Sequence, residues 1–428
     1  MEQLFKLKAH NTNVKTEVMA GITTFMTMAY ILAVNPGILS AAGMPAGGVF
    51  TATALASLIA TVVMAFIANL PIALAPGMGL NAFFAFAVVL GMGYSWQLAL
   101  TAVFIEGIIF ILMSFFNIRE AIVKSIPANI KKAVSVGIGL FIAFIGLQNA
   151  GIVINNDATL VGLGDVTGGP ALVALIGLVL TGVLLALKVK GALLIGIIGT
   201  TIIGIPFGVT SIPQGWSPVK APDAPLLFAF QFDKIFTLDF VVVLFTFLFV
   251  DIFDTIGTLV GVTTQAGLIN KDGSIPRAKQ ALLADAIGTV AGAALGTSTV
   301  TSYIESASGV AEGGRTGLTA LTTGILFGAA LFFSPLFLLV PGAATAPALI
   351  LVGLFMLSPV KDIDLSDFTE AIPAFITMIF MPLTYSIAEG LVFGILAYIF
   401  LKAITGKIKD VTVVTWVVGF FFVLKHLI

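Results

Sequence analysis

The chain alternates between long apolar runs and short polar segments. Fourteen apolar runs occur along the 428 residues, and most match the roughly 20 residues that a helix needs to cross a bilayer. In the first half they lie at 16–35, 47–68, 79–92, 96–116, 132–150, 171–188 and 191–210. In the second half they lie at 238–263, 278–296, 303–313, 316–340, 344–360, 368–385 and 388–404.

Two of these runs are interrupted and too short to span. Run 79–92 follows the Pro/Gly-rich "PIALAPGMG" at 71–79, and run 303–313 follows the Gly/Ser/Thr-rich "AGAALGTST" at 291–299. The two breaks lie about 222 residues apart. Because each half holds an odd number of runs, the second half should be inverted relative to the first. Such a layout predicts two inverted repeats whose half-helices start face to face near mid-membrane, as in secondary transporters.

Composition supports an integral membrane protein of the all-α class. The chain is 59% hydrophobic and 10% charged, whereas soluble domains carry about a quarter charged residues. A net charge of −1 gives no reason to expect a nucleic-acid partner. With no cysteine and only His10 and His426 as histidines, proton chemistry within the membrane must use carboxylates. We expect no metal site and no cofactor other than the proton as coupling ion.

The distribution of basic residues predicts the orientation. With both termini cytoplasmic, 17 of the 20 Lys and Arg residues fall on the inner side, as the positive-inside rule expects. Only Lys220 and Lys234 fall outside, and Lys425 lies in an apolar segment at 411–424. The sequence leaves open whether that segment spans the membrane or lies on it. The inner residues are Lys6, Lys8, Lys15, Arg119, Lys124, Lys131, Lys132, Lys188, Lys190, Lys271, Arg277, Lys279, Arg315, Lys361, Lys402, Lys407 and Lys409.

Five carboxylates lie within the predicted spans. Each costs about 3 kcal/mol at the bilayer centre on insertion scales, so each needs a proton, a hydrogen-bond partner or a wet cavity. A bond to a neighbouring helix is the favoured interpretation for Glu106 and Asp285, and their roles stay open. The five are Glu106, Asp251, Asp254, Asp285 and Glu305.

The eighth run carries two of these carboxylates in "FVDIFDTIGT". Asp251, Asp254, Thr255 and Thr258 occupy positions i, i+3, i+4 and i+7, which predicts one helical face lining the bundle interior. A seam of hydrogen bonds between helices is the competing interpretation, since Thr often makes such bonds in membranes. A substrate contact is favoured for Asp254, whereas the two interpretations are evenly matched for Asp251.

The starts of the two half-helices are expected to form the wall of the binding site that faces the eighth run. Glu305 lies at the start of the second one, 223 residues from Ala82 in the "LNAFF" of the first. Helix N-termini offer free N–H groups and a positive dipole end. Together with a carboxylate acceptor and a flat ring from Phe83 or Phe84, this suits a planar base, although lipid-facing packing is an equal alternative for either ring. Asn81 precedes this group.

Four stretches resemble one transporter family. They are "GITTFMTMAYILAVNP" (21–36), "APGMGLNAFF" (75–84), "DIFDTIGTL" (251–259) and "SYIESASGVAEGGRTGLTAL" (302–321). With them, nearly the whole chain resembles transporters of the nucleobase–ascorbate (nucleobase–cation symporter 2) superfamily, in its AzgA-like branch of guanine/hypoxanthine (purine) permeases.

The resemblance implies fourteen transmembrane segments in two inverted seven-segment repeats. Core and gate domains would alternate along the chain, and short strands would precede both half-helices. The implied boundaries are 1–15 for the N-terminal segment, 16–130 and 238–341 for the core, 131–210 and 342–405 for the gate, 211–237 for the extracellular loop between the repeats, and 406–428 for the C-terminal segment.

The resemblance also implies residue roles. "DTIGT" fits the family's glutamate, x-I-G, polar-residue frame, with Asp254 in the glutamate position and Thr258 in the polar one. Glu305 matches the second acidic or amide residue. Some relatives have a titrating histidine where Thr258 stands, so Asp251 is the candidate to replace it. The expected proton-coupling residues are Asp251, Asp254 and Glu305. The expected substrate-binding residues are Asp254, Glu305, Thr258, Ala82, Phe83, Phe84, Asn81, Thr27 and Ser306.

The function expected is import of hypoxanthine and guanine across the cell membrane by proton symport. Adenine as a further substrate, the coupling stoichiometry and a homodimer stay open. The alternatives are a uracil/xanthine-type or sodium-coupled transporter, a channel, or a membrane-embedded enzyme. An enzyme is disfavoured because the spans offer no cysteine or histidine, and a channel would not concentrate its substrate.

Overall fold

A computed structural model describes residues 2–116, 127–270 and 275–413, together with 415, 416, 419, 420 and 423. Arg119, Lys124 and Lys271, which contribute to the predicted orientation, lie outside these residues, as do Lys425 and six of the fourteen residues of segment 411–424. The described chain is a bundle of helices with two small sheets.

The described residues of the first half form nine α-helices. Helix α4 continues as a π-helix over Met64–Ala68, and α5 continues as one over Phe83–Gly91. Within the described residues of this half, the helices are α1 (Glu2–Phe5), α2 (Val14–Met28), α3 (Ile31–Ala41), α4 (Ala46–Val63), α5 (Met78–Ala82), α6 (Trp96–Phe116), α7 (Ala128–Asn149), α8 (Gly169–Ala186) and α9 (Ala192–Ile203).

The second half follows after a polar connection at 204–237. Short 3-10 helices follow some of its helices. One of them, Ser358–Asp362, lies between the helices Gly342–Met356 and Phe368–Leu383. Where the structure describes this half, the helices are α10 (Leu238–Gln265), α11 (Ala278–Leu295), α12 (Ser306–Ala311), α13 (Gly317–Ala330), α14 (Ser334–Leu338), α15 (Gly342–Met356), α16 (Phe368–Leu383) and α17 (Ile387–Ile404).

Every one of the fourteen apolar runs overlaps at least one of these helices. In the described part of the chain, nine helices or helix pairs are long and apolar enough to cross a membrane, which makes this a multi-pass membrane protein. Run 191–210 is shortened, because α9 ends at Ile203. An unexpected hairpin forms in the loop after α7, where strand β2 (Val153–Asn156) pairs with β3 (Leu160–Leu163).

Both interrupted runs are short helices preceded by a strand. Strand β1 (Leu74–Pro76) leads to α5, and β4 (Val300–Ser302) leads to α12. The strands pair antiparallel, Leu74 opposite Ser302 and Pro76 opposite Val300. The two helices therefore leave the sheet from opposite ends.

The helices pack in two groups. A first group combines helices of both halves, namely α2, α3, α4, α6, α10, α11, α12 and α13, around the paired strands. A second group combines α7, α8, α9, α15, α16 and α17. Contacts within each group are far more extensive than contacts between them, for example between α10 and α7.

A buried carboxylate joins the two halves within the first group. Glu17, in the first turn of α2, is fully buried. Its oxygens accept from the backbone N–H of Arg315 at 2.9 Å, from those of Thr316 and Thr319 at 3.2 Å, and from the Thr319 hydroxyl at 2.6 Å. These donors lie at the start of α13, so Glu17 satisfies the free N–H groups of a helix about 300 residues away.

The second group is closely packed where α7 crosses α15. A Cβ on Gly139 would lie 2.7 Å from the carbonyl oxygen of Gly353, and a Cβ on Gly353 would meet the Gly139 carbonyl in turn. Small residues at such crossings let the backbones of membrane helices approach, and a main-chain carbonyl cannot move aside cheaply.

We expect Gly353→Ala to destabilise the protein by about 1–3 kcal/mol, because the added methyl overpacks the crossing. The measurement is thermal unfolding of purified protein in detergent. Gly182→Ala is the matched control, since a Cβ on Gly182 in α8 meets nothing within 4 Å. Equal melting temperatures for the two variants would contradict the proposed backbone contact.

Candidate functional site

Helix α10 carries the first acidic residue of the site. The run has no Pro or Gly before Gly257, and Thr237 caps its start by accepting from the Phe240 N–H. The four polar residues expected on one face are divided in the structure. Asp254 and Thr258 line a cavity, whereas Asp251 and Thr255 are fully buried, and the Thr255 hydroxyl contacts Asp285 and Thr301 of neighbouring elements. A helix turns 100° per residue, so the pair Asp251 and Thr255 is rotated by about 60° from the pair Asp254 and Thr258 and faces a different flank.

The half-helix starts carry the opposite wall. Glu305 is the residue before α12, and Gly77 holds the same place before α5. A Cβ on Gly77 would lie 3.7 Å from Asp254 Oδ2 and 2.5 Å from the Thr301 methyl. Sequence spacing matched Glu305 with Ala82, but the residue that holds the equivalent place before α5 is Gly77. The glycine therefore leaves room for the Thr301 methyl, whereas the contact with Asp254 is of ordinary length.

The cavity has a volume of about 490 Å³ and lies between the two helix groups. Asp254 and Glu305, the two predicted binding carboxylates, both line it. Lys131 and Lys132, near the start of α7, lie toward one end with Ser358 and Pro359. The remaining lining residues are Tyr30, Gly77, Met78, Gly79, Val134, Ser135, Ile138, Val250, Ile256, Gly257, Thr258, Thr301, Ser302, Tyr303, Ile304, Val352, Phe355 and Met356.

The predicted aromatic wall lies elsewhere. Asn81, Ala82, Phe83 and Phe84 are all buried but do not line the cavity, where Met78 and Gly79 represent α5 instead. The Phe83 ring packs edge-on against Phe247, with centroids 4.9 Å apart. The Asn81 side chain accepts from the Ser298 hydroxyl. In this conformation these four residues therefore pack the half-helix against its neighbours on the side away from the cavity.

Thr27 and Ser306 also act as supports. The Thr27 hydroxyl lies 3.4 Å from the Glu305 main-chain oxygen, and the Ser306 hydroxyl accepts from the Ala73 N–H at 3.0 Å. Neither lines the cavity. Both fix the backbone on which Glu305 sits.

Two tyrosines that the sequence reasoning did not select line the cavity beside Glu305. The Tyr30 hydroxyl donates to Glu305 Oε1 at 2.7 Å, and the Tyr303 hydroxyl donates to the Pro76 carbonyl at 2.6 Å. The sequence did offer a reason to select them. The chain has only five tyrosines, and a tyrosine buried in an apolar run normally needs a hydrogen-bond partner for its hydroxyl. These rings supply flat apolar faces next to the carboxylates.

A second polar cluster lies behind the cavity wall. The Thr255 hydroxyl is 2.8 Å from Asp285 Oδ1, 3.2 Å from Asp251 Oδ1 and 2.7 Å from the Thr301 hydroxyl. Thr301 also lines the cavity, so it connects the cavity to the cluster. Glu106 contacts a different segment. It is fully buried and accepts from the Thr299 hydroxyl at 2.7 Å, as expected of a carboxyl bonded to a neighbouring segment.

Chemically, the cavity suits a small planar molecule rich in N–H donors. Two carboxylates supply acceptors, and tyrosine rings supply flat faces. Among the described residues, no group of three or more acidic, histidine or cysteine side chains could hold a metal ion.

Comparison with known proteins agrees with the resemblance noted in the sequence. Residues 15–393 match the model of the family Xan_ur_permease, described as a permease family. The chain is 48% identical over 423 residues to the guanine/hypoxanthine permease PbuG of Bacillus subtilis, covering 96% of each protein. It is 43% identical over 427 residues to the adenine permease AdeP of Escherichia coli, covering 99% of this chain and 95% of that one.

A solved structure shows the same fold at low identity. The transmembrane domain of the cyanobacterial bicarbonate transporter BicA superposes with a TM-score of 0.68 at 15% identity, over 89% of this chain and 97% of that one. That likeness concerns the fold alone. The family match covers most of the chain, and the relatives match it almost end to end. The chain thus belongs to the Xan_ur_permease family of membrane permeases, in the purine branch of the nucleobase–ascorbate superfamily that its motifs indicated.

Proposed function

We propose that this protein is a secondary active transporter that imports purine bases by proton symport. The observation that carries the proposal is the placement of Asp254 and Glu305 on one cavity between two helix groups. The names of its relatives, which specify guanine, hypoxanthine and adenine, support purines as the substrate class.

The proposed binding mode follows from the cavity's chemistry. A purine has N–H donors on its edges and a planar face. Asp254 and Glu305 accept N–H bonds from the edges, while Tyr30 or Tyr303 covers the face. A site built on such bonds rejects analogues that lack the donors, because its own polar groups would stay unpaired.

Alternating access would use the two helix groups. The first group corresponds to the proposed core domain (16–130 and 238–341) and the second to the gate (131–210 and 342–405), with fourteen segments in inverted repeats. Movement between the groups would expose the cavity to one side of the cell membrane at a time. Lys131 and Lys132 mark the end proposed to be cytoplasmic.

The buried cluster behind the wall is the proposed proton site. The Thr255 hydroxyl has a single proton but three oxygen neighbours, so it can donate to only one of the two carboxylates. A proton on Asp251 or Asp285 would allow the second contact to be a hydrogen bond as well. Thr301 provides the connection to the substrate cavity. Inward proton movement would then draw on about 2.3 kcal/mol per 100 mV of membrane potential.

Binding tests the carboxylates. We expect Asp254→Asn and Glu305→Gln each to weaken hypoxanthine binding by on the order of 100-fold, because each removes a charged acceptor worth about 2–3 kcal/mol. Binding to purified protein is the measurement. Asp157→Asn, in the exposed turn between β2 and β3, serves as the control. Normal hypoxanthine binding by both cavity variants would refute the site.

Accumulation tests the coupling. We expect Asp251→Asn to bind and exchange purine across proteoliposomes but to fail to concentrate it under an imposed pH gradient. The measurement is uptake of radiolabelled hypoxanthine with and without a protonophore. Undiminished accumulation would remove Asp251 from the mechanism. Accumulation that required sodium and ignored the protonophore would replace the proton by sodium.

A further inference from the structure

Tyr30 lies at a break between two helices of the first group and contacts Glu305. It lies at the junction where α2 ends and α3 begins, and it is only 1% exposed. Its ring lines the cavity, and its hydroxyl donates to Glu305 Oε1 at 2.7 Å. The break between the two helices thus delivers a hydrogen-bond donor to the carboxylate from across the bundle.

We propose that Tyr30 is a positioning residue for Glu305, holding the carboxylate in the cavity wall in its ionised, hydrogen-accepting form. A hydrogen bond donated to a carboxylate stabilises its charged form over its neutral one. This inference rests on the proposed function, since it assigns Glu305 to substrate binding and leaves the transported proton to the Asp251–Asp285 cluster.

Other titratable groups face Glu305 from several elements. Asp254 approaches from α10, Lys131 and Lys132 lie across the cavity on α7, and Tyr303 precedes Glu305 on its own segment. Asp285 lies behind the wall on α11, where it contacts Thr255. The lysines therefore favour the ionised form of Glu305 and the aspartates oppose it, whereas Tyr30 donates a hydrogen bond directly to its carboxylate.

Tyr303 offers a matched comparison. It also lines the cavity and is buried, but its hydroxyl donates to the main-chain carbonyl of Pro76. Removing either hydroxyl deletes one oxygen from the same cavity. Only the Tyr30 change removes a direct donor to Glu305.

The experiment measures hypoxanthine affinity of the purified full chain against pH. In Tyr30→Phe, the pH at which binding reaches half its maximum should move upward by about one unit, because ionised Glu305 has lost a donor. In Tyr303→Phe the affinity is free to change, but the midpoint should stay where it is in the unmodified protein. An unchanged midpoint in Tyr30→Phe, or equal shifts in both variants, would overturn the inference.

A second replacement keeps the test decisive if Tyr30→Phe does not fold. Replacing Tyr30 by 3-fluorotyrosine retains the shape and makes the phenol a stronger donor, so the midpoint should move downward. A midpoint that stays fixed or rises would overturn the inference. Failure of the unmodified protein to bind any purine would instead refute the proposed function, which separates the two failures.

Discussion

Non-helical backbone inside a membrane is the constraint on which this structure depends. Hydrocarbon offers no hydrogen bonds, so an interrupted helix survives only where protein satisfies its exposed N–H and C=O groups. Here β1 and β4 satisfy each other, and the pairing continues on both sides. The Gly77 N–H reaches the Thr299 carbonyl at 2.9 Å, and the Tyr303 N–H reaches Ala73 at 3.0 Å.

Threonine and serine hydroxyls complete what the two short strands cannot. The Thr61 hydroxyl both donates to the Leu74 carbonyl and accepts from its N–H, at 3.1 and 2.9 Å. The Thr289 hydroxyl donates to the Val300 carbonyl at 2.9 Å. The hydroxyl-rich composition around the breaks is therefore a structural requirement. Once the strands are fixed, the residues that follow them, Gly77 and Glu305, are fixed as well.

Much of the fold follows from the sequence, because the bilayer restricts the length of each spanning helix and the number of charged residues within it. Hydropathy located every run, and the Pro/Gly and Gly/Ser/Thr breaks located both short helices. The two carboxylates of the cavity were also predictable, since burying Asp254 or Glu305 in apolar runs demands a reason. Periodicity could not tell which flank of α10 faces the cavity, because both flanks are polar and both are packed.

The remaining differences arise from tertiary contacts. Repeat spacing matched Glu305 with Ala82 instead of Gly77, because three residues lie between β4 and α12 but only one lies between β1 and α5. Phe83 and Phe84 were expected to line the binding site. In a chain with 36 phenylalanines, however, the sequence does not distinguish a ring that packs between helices from a ring that lines a cavity. Glu17 and Tyr30 find their partners only through pairings across some 275–300 residues.

The distance along the chain between the paired strands bears on biosynthesis. Ala73, at the edge of the first strand, bonds to Ser306, which is 233 residues away. At translation rates of about 5–20 residues per second, the first strand waits on the order of ten seconds or more before its partner is made. During that interval its polar backbone must be sheltered by the insertion machinery or by water. The cavity that Asp254 and Glu305 line can therefore form only after the second half of the polypeptide has entered the bilayer.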